Sequence, residues 1–182
     1  MTIILDAGHG PQTPGKRSPD GLLREFHFNQ KVAQFAKELL VSQGMEVLFS
    51  HDTTMDVPLK NRTLFANKVN AQLFVSIHAN AFGSQWNDAQ GIETYIYPSA
   101  AQKTKSLGIL IHESLLQATN RKNRGLKTAD FAVLRETTMP AVLVECGFMT
   151  NREEANLLLH KEYQMQCARA IAFGIRNWLY RR

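Results

Sequence analysis

Apolar residues along this chain fall into short continuous blocks, separated by longer stretches in which they return every three or four positions. Ile3, Ile4 and Leu5 form the first block, and Gly8 and Gly10 interrupt it at once. This pattern describes a buried strand entering a tight turn. After a Gly- and Pro-containing loop over 8–21, Phe28, Val32, Phe35 and Leu39 share one face of a helix beginning near Arg24 and closing near Gly44. Residues 45–49 read as a second strand. Asp56 and Pro58 open a second helix, continued by Leu59, Arg62, Ala66 and Val69. The block 72–78 (QLFVSIH) is a third strand ending in a histidine, and a polar loop over 79–90 leads to a fourth at 91–97. Leu107, Leu110, Ile111 and Leu115 mark a helix closed by the basic segment 121–124 and Gly125. A short strand is expected near 131–134. The block 141–145 (AVLVE) is apolar enough to lie mid-sheet. Two helices finish the chain, the last carrying Tyr163, Cys167, Ile171, Ile175 and Trp178. Strands alternating with helices predict one α/β domain over 1–182, its sheet mostly parallel and covered by helices on both faces.

The 182 residues suffice to bury about 70% of the unfolded surface without staples. No apolar run approaches the length of a membrane span. Met1 leads directly into the first strand and leaves no room for a signal peptide. The expectation is therefore synthesis in the cytoplasm, with release by another route or as part of a longer chain. The net charge of +5, from 21 basic and 16 acidic side chains, favours polyanionic surroundings such as nucleic acid or an anionic cell wall. No helix-turn-helix or aromatic–basic interleaving supports nucleic acid, and a merely basic surface is the plain alternative. Cys146 and Cys167 are the two cysteines. They make no disulfide framework and read as reduced, small hydrophobic residues.

His9 and His78 follow buried strands on the side where open α/β sheets place their ligand crevices, and Asp6 shares that position. Catalytic zinc with an open position takes three protein ligands, two His and one Glu being a common set. Glu25 opens the first long helix beside the loop that follows His9. It is a candidate third ligand, although a carboxylate in a first helical turn also complements the helix dipole. Glu145 ends the most apolar block, where desolvation raises a carboxyl toward the range of a general base. Its other reading is a structural acid capping a backbone turn. His27, two residues from Glu25, is turned away from it on a helix. His27, His51, His112 and His160 read as surface or packing residues.

Taken together these segments resemble the zinc-dependent N-acetylmuramoyl-L-alanine amidases of the type-3 class, nearly end to end. LDAGHG at 5–10 resembles the opening motif, GLLREFHFN at 21–29 the glutamate motif, and 62–67 the R-x-x-x-A-N element. SIHAN at 76–80, NRGLK at 123–127 and VLVECGFMTN at 142–151 complete the series. The resemblance implies a twisted, mostly parallel six-stranded sheet. It implies one Zn2+ held by His9, Glu25 and His78, with Glu145 as the catalytic glutamate. The implied reaction cuts the amide between the lactyl group of N-acetylmuramic acid and L-alanine of the stem peptide, so the implied partner is peptidoglycan in the bacterial wall. Ser50 and His51 depart from the Thr-Arg common after the second strand of relatives. Only 98–105 separates the fourth strand from the next helix, with no inhibitory helical insert as in division amidases. This short connection resembles endolysins and mother-cell autolysins, which often carry a separate wall-binding module that is absent from this chain. Nothing in the pattern demands more than a monomer.

Three other readings share some of these residues: a zinc peptidase cutting within the stem or crosslink, an inactive wall-binding protein, and a cysteine hydrolase using Cys146. Strand alternation turns Cys146 away from Glu145, into the core.

Overall fold

The computed structural model describes residues 2–180. Six strands form one sheet: β1 (Thr2–Ala7), β2 (Glu46–Phe49), β3 (Leu73–Asn80), β4 (Ile92–Ile96), β5 (Asn123–Thr128) and β6 (Ala141–Phe148). The helices are α1 (Glu25–Val41), α2 (Leu59–Lys68), α3 (Gln102–Thr119), α4 (Ala132–Arg135), α5 (Arg152–Leu159) and α6 (Lys161–Tyr180). Strand order is β2-β1-β3-β6-β4-β5. All pairings are parallel except β4 with β6. The α/β architecture expected from the alternating pattern is the one observed.

Alternation along the strands divides the interior into two unequal layers. Ile3, Leu5, Val75, Ile77, Val142 and Val144 enter the larger cluster, together with apolar residues of α1, α3 and α6. Ile4, Phe74 and Leu143 face a smaller cluster completed by Ala66 of α2 and by Val133 and Leu134 of α4. The second face is therefore covered by two short helices. They leave its upper part open, just where the odd polar residues of β1, β3 and β6 emerge.

The structure corrects several element boundaries. No strand forms at 131–134: Ala132–Arg135 is the short helix α4, which buries Val133 and Leu134 and exposes Phe131. Four residues of mixed apolar character carry no periodicity that separates strand from helix. The fifth strand lies instead at Asn123–Thr128, overlapping the segment 121–125 expected to close a helix and running three residues past it. That helix, α3, ends at Thr119, with Asn120 in the left-handed conformation that terminates it. As an edge strand β5 pairs on one side only and is half-buried and polar, so it carries no apolar block. β3 and β6 also run two and three residues past the blocks read for them. His78 and Glu145 thus lie inside strands and not at their ends. Among the described residues, no helix is long and apolar enough to cross a membrane.

Candidate metal centre

β1 delivers the first residue of the site. Gly8 donates its N–H to the Ile77 carbonyl at 3.0 Å and accepts the Asn29 amide at 3.1 Å, extending the sheet register by one residue. His9 then turns with φ 70°, an uncommon conformation for a residue with a side chain. Arg62 of α2 holds this turn. Its guanidinium donates to the Asp6 carboxylate (2.8 Å), the Ala7 carbonyl (2.7 Å) and the His9 carbonyl, and its Nε reaches the Val57 carbonyl.

Glu25 is the first residue of α1 and is buried at 4% exposure. Its carboxylate meets His9 Nε2 at 3.1 Å and His78 Nδ1 at 2.7 Å, and accepts the Lys16 N–H at 3.1 Å. One ligand atom from each of His9, Glu25 and His78 lies within 4.8 Å of the others. Burial alone would raise the Glu25 pKa. Hydrogen bonds and charge from His78 and His9 outweigh it and hold the carboxyl down to about 2.

The other edge of the His78 ring is also fixed. Nε2 lies 3.1 Å from Ser76 Oγ, which donates to Asp6 Oδ2 at 2.6 Å. Asp6 accepts further from Ser50 Oγ (2.8 Å) and from Arg62. A histidine whose second nitrogen is engaged in this way keeps one tautomer and one ring orientation, as metal-binding histidines usually do. Backbone space is reserved for the rings as well. A Cβ on Gly8 would stand 2.0 Å from the His78 ring, and one on Gly15 would stand 2.6 Å from both Glu25 Oε2 and the His9 ring. Two imidazole nitrogens and one ionised carboxylate, held by backbone and by a hydrogen-bonded relay, fit a zinc ion with positions left for substrate and water.

Glu145 adjoins this cluster across the sheet. It pairs with His78 in the parallel register of β3 and β6, and its Oε2 is buried without a hydrogen-bond partner. Burial first, then the negative charge of Glu25, with Glu93 adding to them, pushes its carboxyl well above the usual range. Glu93 lies opposite Glu145 on the antiparallel strand β4. It is ionised by its own partners: Arg124 Nε and Lys127 Nζ at 2.6 Å each, the Tyr95 hydroxyl at 2.8 Å and Asn80 at 2.9 Å. A cavity of about 660 Å³ opens over these residues. Leu59 and Arg62 of α2 and Phe131 and Val133 at α4 are among its lining residues.

The four expected site residues are thus gathered at one cavity. Of the remaining histidines, His51 is buried and accepts the Ala7 N–H at 3.0 Å, and His112 lies between Thr94 and Asn123. His27 is exposed. His160 is exposed beside the Asn156 carbonyl, so all four are packing or surface residues. Cys146 and Cys167 are free and buried. Contact with Cys167 and burial raise the Cys146 pKa, so the thiol stays protonated and faces the larger core. Asp6 lies at the crevice as its place after the first strand predicts, whereas its links to Ser76 and Arg62 have no counterpart in the local pattern. Three polar groups in otherwise apolar strands and at a buried helix position were the available signal of this relay.

A sequence model of the N-acetylmuramoyl-L-alanine amidases matches residues 3–177. The chain belongs to this family. The amidase is 37% identical over 177 residues to N-acetylmuramoyl-L-alanine amidase CwlM of Bacillus licheniformis, covering 96% of this chain and 67% of the relative. Identity is 35% to the sporulation-specific N-acetylmuramoyl-L-alanine amidase of Bacillus subtilis strain 168, with the same coverage. The crystal structure of an N-acetylmuramoyl-L-alanine amidase from Clostridium difficile 630 superposes with a TM-score of 0.94 at 33% identity, covering 98% of this chain and 96% of that one. The protein is a hydrolase of the peptidoglycan amide between N-acetylmuramic acid and L-alanine.

Proposed function

We propose that this amidase acts with one zinc ion held by His9, Glu25 and His78, and with Glu145 as general base, as the catalytic domain of a cell-wall lytic enzyme. The observation that carries the reading is the pairing of a His–Glu–His cluster with a half-buried carboxylate on the neighbouring strand whose buried Oε2 has no hydrogen-bond partner. Bound zinc supplies Lewis acidity, polarising a carbonyl and bringing the pKa of water to about 7. Glu145 takes a proton from the attacking water and delivers it to the departing alanine nitrogen, the sequence expected of one carboxyl serving as base and then acid. Its raised pKa suits both halves of that transfer. Ser76 and Asp6 keep His78 aimed, and Arg62 keeps the His9 turn closed. Leu59, Phe131 and Val133 supply apolar wall to the cavity in which the substrate chain would lie.

Digestion of purified peptidoglycan, with labelling of new amino termini, tests the reading. New N-terminal alanine that vanishes with a chelator and returns with zinc is the expected result. A different new terminus would reassign the bond to the stem or crosslink. Binding without any product would make the protein a wall-binding one.

A further inference from the structure

A second depression, of about 510 Å³, lies beside the first and includes Lys16, Arg17 and Arg24 in its walls. Lys16 lines both cavities and so forms the partition between them. Arg17 and Arg24 face each other as an antiparallel bridge pair, which places like charges on directly opposite positions. Such an arrangement is unfavourable unless something neutralises it. Among the described residues, none of these three cations forms an ion pair with a carboxylate, so the Arg17–Arg24 opposition is not relieved within this depression.

The loop that carries them is well anchored. Ser18 accepts and donates across it to Leu23, Gly21 bonds back to Ser18, and the Lys16 backbone is tied to Glu25 on both sides. The Lys16 ammonium donates to the Ala81 carbonyl at 3.0 Å, which leaves two of its three protons free. The anchored backbone thus presents three cations without an ion-pair partner, of which Lys16 reaches the edge of the first cavity.

We propose that Lys16, Arg17 and Arg24 form a subsite for the carboxylates of the stem peptide beyond the L-alanine released in the reaction. The inference rests on the amidase reading, because that reaction brings an acidic peptide into the first cavity. Carboxylate is favoured as the anion because planar guanidinium groups and carboxylates match in geometry. The peptide joined to the scissile amide carries such groups at a short reach.

Two synthetic substrates, both capped as the methylamide at the glutamyl γ-carboxyl, test it: N-acetylmuramoyl-L-alanyl-γ-D-glutamyl methylamide, with a free α-carboxylate, and its counterpart with that α-carboxylate amidated. For the zinc-loaded wild-type protein the expected KM is about tenfold lower for the free acid. In the Lys16→Met/Arg17→Gln/Arg24→Gln variant the KM for the acid should rise to that for the amide. Arg17→Gln alone, at an exposed position, should give part of this change if the triple variant does not fold. Equal KM values in the wild type, or a preference that survives in the variants, overturn the subsite. If neither substrate is cut, the amidase reading is what fails. Calorimetric binding of the dipeptide L-alanyl-D-isoglutamate then decides the subsite separately. Weaker binding to the variant than to the wild type upholds it, and equal binding overturns it.

Discussion

Glu145 stands directly opposite His78 in the parallel register of β6 and β3, so the proposed base and one proposed metal ligand are fixed relative to each other by backbone hydrogen bonds. On its other side Glu145 faces Glu93, which its two cations keep ionised. The row His78–Glu145–Glu93 places a carboxyl between a metal-binding position and a fixed negative charge. Glu145→Gln should retain zinc and fold while lowering turnover by about 10²–10⁴-fold, the usual worth of a general base. Near-normal turnover with zinc saturating would remove Glu145 from the mechanism.

The Ser76 hydroxyl joins His78 to Asp6. Ser76→Ala should weaken zinc binding about 10–100-fold, as loss of a ligand's orienting partner does. Competition against a chromophoric chelator measures this independently of turnover. An unchanged affinity would show that the ring is held by packing alone.

Gly8→Ala places a methyl group where the His78 ring lies. Zinc affinity should collapse although Gly8 does not occupy the left-handed region and the backbone itself accepts alanine. Retention of stoichiometric zinc would mean that the ring has another position from which it still ligates.

Asp6 and Arg62 form a buried ion pair at 2.8 Å, their side chains 1% and 3% exposed. Removing one partner strands the other charge, so Arg62→Met should cost about 3–5 kcal/mol in chemical denaturation. Burial alone would raise the Asp6 pKa, but Arg62, Ser76 and Ser50 overcome it and hold the carboxyl below its ordinary value. The sign follows from linkage: the unfolded state binds the proton more readily. The contribution is therefore fully present above about pH 4 and is lost as pH falls through the depressed folded value. Asp6→Asn should lower stability at pH 7 and flatten the acid side of the stability profile. A variant that loses stability on acidification as steeply as the wild type would assign that loss to other groups.

Chelation should lower the thermal midpoint as well as abolish turnover, because an ion bound only by the folded state stabilises it by mass action. Restoration of the midpoint by zinc, but not in a His9→Ala/His78→Ala variant, is the expected pattern. A midpoint indifferent to zinc in the wild type would count against a bound ion.

Chain order and periodicity determined a good deal by themselves. Each apolar block reports its own burial, so the α/β class, five of the six strands and the positions of His9, His78 and Glu145 could be read from local pattern. Glu25 could be placed at the start of a helix but not at the histidines, since its contact with His78 spans 53 residues. The Ser76–Asp6 and Arg62–Asp6 contacts span 70 and 56 residues. The polar edge strand β5 depends on pairing with β4, and the approach of Glu93 to Glu145 on β4 running against β6. Periodicity records how deeply a residue is buried and says nothing of which strand lies next to it. Strand order decided which polar groups meet, and with it the relay behind His78 and the charge beside Glu145.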